Sequence, residues 1–183
     1  YINQLLKVGF DTIDFGSFVS PKAIPQMRDT AEVLAGLDLS QTNSKLLAIV
    51  GNLRGAEEAC SHQEIDILGY PFSISEAFQQ RNTNTTIEDS LVRLAEIQNL
   101  CVQKGKTLVV YISMAFGNPY GDKYSPEIAL QWSQKLADEQ GIKIIALSDT
   151  IGSATPELIS ELFTALIPQL PQVEEPLQPP LLQ

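Results

Sequence analysis

Thr107-Leu-Val-Val-Tyr-Ile-Ser113 and Lys143-Ile-Ile-Ala-Leu147, with the segment that joins them, decide the fold. Both runs are apolar and rich in β-branched residues, without long polar alternation. Strands buried on both faces of a parallel sheet read this way. In the joining segment, Ser125 places a capping hydroxyl before Pro126, which suits a first helical turn. Gly141 sits where that helix would stop ahead of the next strand. Strand, helix and strand in roughly thirty residues form one βαβ unit.

Working outward, the same alternation recurs. Thr12-Ile-Asp-Phe15, Leu46-Leu-Ala-Ile-Val50 and Ile65-Asp-Ile-Leu68 are further short apolar runs. Thr85-Thr-Ile-Glu88 has capping-box spacing before Leu91, Leu94, Ile97 and Leu100, which follow a helical period. Gly105 marks the stop of that helix, and Thr155-Pro156 starts another. Ile2 to Val8 reads as the end of a helix whose preceding strand is absent. The expectation is a parallel α/β fold, an incomplete (β/α)8 TIM barrel with about five central strands. A complete barrel takes about 250 residues, and this chain has 183. Residues 1–173 read as a partial TIM-barrel catalytic domain. Residues 174–183 carry three prolines and no helical face, so they read as a disordered or non-native tail.

Composition narrows the function classes. Apolar residues at 44% supply a core, and 19% charged residues argue against disorder. With 12 basic and 22 acidic residues the formal charge is −10, which opposes binding to nucleic acid or an anionic membrane. The two cysteines, Cys60 and Cys101, lie in helical segments and read as structural, not as a disulfide framework. A single histidine, His62, excludes a two-histidine metal site within this chain and reads as a solvated loop residue. No run reaches membrane-span length and no signal peptide is visible, so the expected location is cytoplasmic, a reducing compartment.

In parallel α/β folds reactive groups gather at the carboxyl ends of strands. Those positions hold Asp14, Gly16 and Ser17, then Asn52 and Arg54, then Arg81, Asn82 and Asn84. Tyr111, Ser113, Asn118 and Tyr120 follow, and finally Asp149 and Thr150. Asp14 and Asp149 end separate strands and would suit hydrogen-bonded support of a hard cation such as Mg²⁺. On the residues alone, Asp149-Thr-Ile-Gly152 reads equally as a turn, and Asp14 as a buried acid held by an arginine. Lys22, Arg28, Arg54, Arg81 and Lys123 follow strands, whereas Lys45, Lys104, Lys106 and Lys143 precede them. The acidic excess falls on helices, so the loops offer a locally cationic mouth for a phosphate or carboxylate ligand. Walker-type, Gly-x-Gly-x-x-Gly and Gly-x-Ser-x-Gly motifs are absent.

Ser17-Phe-Val-Ser-Pro-Lys22 with Ile24-Pro-Gln-Met27 resembles the signature after the second strand of hydroxymethylglutaryl-CoA lyases. The resemblance continues through Gly51-Asn-Leu-Arg-Gly55, Arg81-Asn-Thr-Asn84, Tyr111-Ile-Ser113 with Pro119-Tyr120, and Asp149-Thr-Ile-Gly152. It implies a carbon–carbon lyase that cleaves 3-hydroxy-3-methylglutaryl-CoA to acetyl-CoA and acetoacetate with Mg²⁺ or Mn²⁺. Carried over by position, Asp14 and Asp149 support the cation site. Ser17, Asn52, Arg54, Asn84, Tyr111 and Thr150 line the acyl-CoA pocket. Asp14 stands where the family usually has a glutamate, and Met114 and Asn118 where some relatives have cysteines. The resemblance places the direct metal ligands and the catalytic thiol outside these residues. The chain alone is therefore expected to lack activity and to hold the metal weakly. Two alternatives are a catalytically inactive scaffold with residual acyl-CoA binding, and a barrel of the isopropylmalate or homocitrate synthase type. The implied partner is an acyl-CoA substrate, with a homo-oligomer possible.

Overall fold

The structure, a computed structural model, describes residues 1–173. Five strands alternate with helices along the chain: β1 Thr12–Ser17, β2 Lys45–Ile49, β3 Ile65–Ser73, β4 Thr107–Ser113 and β5 Ile144–Leu147. Their order in the sheet follows the chain, β1-β2-β3-β4-β5. The pairs β1/β2, β2/β3 and β4/β5 are parallel. The helices are α1 Ile2–Leu5, α2 Thr30–Ala35, α3 Leu53–Ser61, α4 Glu76–Thr83, α5 Ile87–Lys104, α6 Pro126–Gln140 and α7 Pro156–Leu166. This is the expected partial (β/α)8 arrangement. The proline-rich tail expected at 174–183 lies outside the described residues.

The chain divides into two compact units. Among the described residues, one comprises 1–70 and 99–107, the other 71–98 and 108–173. In the first unit, Ile13, Phe15, Leu46, Leu47, Ala48, Val50, Ile65 and Leu68 form the sheet's core, and Ala56 and Ala59 of α3 are wholly buried. β1 carries a bulge. Asp14 pairs with Leu47 but Gly16 pairs with Ala48, so Phe15 is the extra residue. Beyond the bulge a Cβ on Gly16 would stand 2.7 Å from Cγ2 of Thr30, the first residue of α2. That buried threonine donates to the Ser17 carbonyl at 3.0 Å and accepts from the Ser17 N–H at 3.2 Å. Glycine is therefore what lets α2 lie against the end of β1.

In the second unit, Phe72, Leu108, Val110, Ile112, Leu136, Ile145 and Leu147 are buried, and Phe72 packs on Trp132 with ring centroids 5.3 Å apart. The helix ends match the sequence. Ser125 and Thr155 accept from Ile128 and Leu158 N–H, each ahead of a proline at the helix start. Gly105 and Gly141 adopt φ of +65°, which costs glycine little. Three details differ. The cap of α5 is Thr86, which accepts from Asp89 N–H at 3.0 Å, one residue later than the expected box. β3 runs past Leu68 to Ser73. Residues 76–83, expected as loop, form α4, so Arg81 and Asn82 are helical.

Candidate functional site

Each strand hands its next side chains to a loop, and most candidate residues sit at such a carboxyl end or in the segment that follows, whereas Asp14 and Tyr111 lie within β1 and β4. In the first unit the candidates are Ser17 at the end of β1, with Asn52 and Arg54 at the start of α3, while Asp14, expected to end its strand, lies in the middle of β1, which runs on to Ser17. The Phe18 N–H donates to the Ile49 carbonyl at 2.8 Å, and the Ser17 hydroxyl donates to the same oxygen at 3.1 Å. Asn52 caps α3 by accepting from Gly55 N–H at 2.9 Å. Gly55 presses against the preceding loop: a Cβ there would fall 2.1 Å from the Phe18 carbonyl oxygen. The structure thus brings Ser17, Asn52 and Arg54 into one loop cluster. Asn52 and Gly55 of Gly51-Asn-Leu-Arg-Gly55 hold the scaffold, while Arg54 is exposed. Residues 20–29, within which most of the Ser17–Lys22 and Ile24–Met27 runs fall, are all exposed as well.

Asp14 keeps access to solvent, yet surrounding protein crowds its carboxyl. That desolvation pushes its pKa up to about 6, against a smaller downward pull from the Gly16 backbone. The reading of Asp14 as a buried acid held by an arginine is corrected, because the residue is exposed overall and no arginine is among the causes of its shift.

The second unit holds Asn84, Tyr111, Asp149 and Thr150. Asn84 ends α4 in a left-handed conformation, φ +51°. Tyr111 stands on β4 opposite Ala146 of β5. The Thr150 hydroxyl accepts from the N–H of Met114, itself left-handed at φ +64° and buried, at 2.9 Å. Asp149 uses both carboxylate oxygens on its own turn, accepting from Ser153 N–H at 2.8 Å and Ala154 N–H at 3.0 Å. Asp149-Thr-Ile-Gly152 is therefore a turn closed by its aspartate, and Thr150 ties it to the end of β4.

Several residues differ from their sequence reading. His62 is half-buried against Phe18, ring centroids 5.4 Å apart, not a solvated loop residue. The thiols of Cys60 on α3 and Cys101 on α5 are free and hydrogen-bonded to each other. Burial pushes Cys101 up to about 12, and also raises Cys60 against the pull of Lys106 and Lys104. Among the described residues no group of three or more His, Cys, Asp or Glu is placed to hold a metal ion. The Mg²⁺ or Mn²⁺ implied by the resemblance therefore has no ligand set among them. Sequence reasoning missed Ser75, Gln79 and Asp122, which organise α4. Buried Gln79 accepts from Ser73 N–H at 2.9 Å and donates to Thr83 at 2.7 Å. The Ser75-Glu76 pair before Phe78 was the one available signal of a helix start.

Parallel strands that deliver polar side chains at their carboxyl ends, each followed by a helix, define a barrel-type (β/α) framework with its site in the βα loops. No protein-family model matches the chain. It is 34% identical over 172 residues to the mitochondrial hydroxymethylglutaryl-CoA lyase of Mus musculus, covering 93% of this chain and 51% of the relative. It is 33% identical over 171 residues to the 3-hydroxy-3-isohexenylglutaryl-CoA/hydroxymethylglutaryl-CoA lyase of Pseudomonas aeruginosa, covering 93% and 56%. The crystal structure of the Bacillus subtilis lyase superposes with a TM-score of 0.85 at 34% identity, covering 93% of this chain and 56% of that one. An Acinetobacter baumannii lyase in complex with coenzyme A and 3-methylmalate gives 0.80 at 30% identity, covering 92% and 55%. The chain is homologous to the hydroxymethylglutaryl-CoA lyase family and spans about half the length of the relatives it matches.

The expected cytoplasmic location is overturned. The mammalian relatives, those of Rattus norvegicus, Bos taurus and Homo sapiens among them, are mitochondrial enzymes. Free cysteines report only a compartment that keeps thiols reduced, so they could not single out the cytoplasm. No helix among the described residues is long and apolar enough to cross a membrane.

Proposed function

We propose that this chain is the acyl-CoA-binding part of a carbon–carbon lyase acting on 3-hydroxy-3-methylglutaryl-CoA, with acetyl-CoA and acetoacetate as products. The observation that carries the reading is homology along 93% of the chain to lyases, one of them solved with coenzyme A bound. Ser17, Asn52, Arg54, Asn84, Tyr111 and Thr150 are the proposed pocket residues. Of these, Asn52, Arg54, Asn84 and Thr150 are exposed, and the Asn52 and Thr150 side chains also hold their own loops. Asp14 and Asp149 are proposed to support a cation site, with Mg²⁺ or Mn²⁺ as the ion. The described residues do not assemble ligands for that ion. This observation favours a second reading, a scaffold that binds acyl-CoA without cleaving it.

One experiment tests both readings. The purified chain is titrated with coenzyme A by calorimetry, then incubated with 3-hydroxy-3-methylglutaryl-CoA and Mg²⁺ or Mn²⁺ while acetoacetate is assayed. The expected result is binding of coenzyme A without acetoacetate. Acetoacetate release would establish the full activity in this chain, and no binding of coenzyme A would overturn both readings.

A further inference from the structure

The loop between β4 and α6 grips α4 at two points. At the first, Asp122 Oδ2 accepts from the Ser75 hydroxyl at 2.6 Å and from Ala77 N–H at 3.1 Å, so a carboxylate of this chain sits on the N-terminus of α4. Ser75 is also the helix cap, accepting from Phe78 N–H at 3.1 Å. Asn118 braces the loop by accepting from Tyr120 N–H at 2.9 Å. At the second point the Tyr120 ring lies against two residues one turn apart on α4. Its centroid is 5.9 Å from that of Phe78, and the Arg81 guanidinium stands 4.6 Å over the ring.

This arrangement leaves Arg81 in a particular state. Stacking uses the flat face of a guanidinium and leaves its in-plane N–H donors for other partners. Arg81 is exposed, and the ion pairs among the described residues, Lys45 with Asp11 and Lys135 with Glu139, do not involve it. A cation whose orientation is fixed while its charge stays uncompensated suits a phosphate, which accepts paired N–H donors. Orientation fixed before binding lowers the ordering cost that weakens flexible surface contacts.

We propose that Asp122 is a positioning residue: by holding α4 against the Tyr120 loop, it presents Arg81 to the phosphate groups of an acyl-CoA. The inference rests on the acyl-CoA reading above. The Ser75 hydroxyl, then Ala77 N–H, hold the Asp122 carboxyl below its ordinary range, so the clasp is closed throughout neutral pH and opens only in acid.

The test compares coenzyme A with pantetheine, which lacks the phosphates, by calorimetry on the full chain and its variants. Asp122→Asn is expected to weaken coenzyme A by about tenfold, the order carried by one charge-assisted contact, and to leave pantetheine unchanged. Tyr120→Leu should act the same way, and Tyr120→Phe, which keeps the ring, should bind as the parent does. A merely structural role would lower both ligands together, and that result overturns the inference. Unchanged affinity for coenzyme A in Asp122→Asn overturns it as well. If the parent chain binds neither ligand, the acyl-CoA reading falls and the inference with it. A parent that binds while Asp122→Asn is silent defeats the inference alone.

Discussion

At the scale of single residues, a glycine, a carboxylate and a thiol make the sharpest claims. A methyl group on Gly55 would overlap the Phe18 carbonyl oxygen, a backbone atom that cannot turn aside as a flexible side chain can. Gly55→Ala is therefore expected to lose about 3 kcal/mol, as overpacked sites do, seen as a lower midpoint in urea. An unchanged midpoint would mean that α3 shifts freely. Asp14 works in the opposite sense. Its folded pKa lies above the unfolded one, so its charged form is disfavoured by folding: the cost is absent only below about pH 3, grows between about pH 4 and 6, and is complete by about pH 7. Asp14→Asn should raise stability at pH 7.5 by about 1 kcal/mol, discounted because the residue reaches solvent, and by much less at pH 4. Equal effects at both pH values would refute the assignment. Cys101, pushed up to about 12, should react with a thiol reagent at pH 7.5 more slowly than half-exposed Cys60. Mass spectrometry after timed alkylation checks this, and faster labelling of Cys101 would contradict it.

Elements differ in how far their causes are local, and this decides what the sequence discloses. β4 and β5 are legible because Val109, Val110, Ile112, Ile144 and Ile145 carry the strand signal themselves. α6 and α7 are legible because Ser125-Pro126 and Thr155-Pro156 spell out a cap and a first turn. The five strands and their parallel alternation follow from such signals. α4 is not legible: Glu76–Thr83 holds only Ala77 and Phe78 as apolar residues, and contacts from Asp122, Tyr120 and Gln79 stabilise it. The end of β3 is hidden because Gly69 and Pro71 read as strand stops. The α5 cap slips by one because Thr85 and Thr86 are both hydroxyls, followed by two acids at the matching spacing. The same division applies to the site. Strand-end residues could be named, but whether Thr150 offers its side chain to a ligand or to the backbone depends on Met114, a partner distant in sequence, whereas the Asn52 cap on Gly55 N–H is local. The join of α2 to β1 tests one such distant cause. Thr30→Val keeps the shape but leaves the buried Ser17 N–H without its acceptor, so a loss of about 2 kcal/mol in thermal or urea unfolding is expected. A neutral result would show that the bulge holds without the hydroxyl.

For the whole molecule, the unresolved tension is between a formal charge of −10 and a ligand that is itself an anion. The cations at the strand carboxyl ends, Lys22, Arg28, Arg54, Arg81 and Lys123, are all exposed, and helices such as α3 and α5 carry much of the opposing charge. The two contributions act over different distances, and salt separates them. Near 0.01 M salt the Debye length is about 30 Å, so the full acidic surface repels coenzyme A. Near 0.1 M it is about 10 Å, so distant carboxylates are screened while contacts with loop cations persist. Near 1 M it is about 3 Å, and those contacts weaken too. Affinity for coenzyme A should therefore pass through a maximum near physiological salt, falling on both sides. Pantetheine, with no phosphate charge, should show no such maximum. Titration calorimetry at these three ionic strengths decides the matter. A steady decline for coenzyme A from the lowest salt would mean that the local cations outweigh the net charge at every distance. Steadily rising affinity would mean that no cation touches the ligand at all.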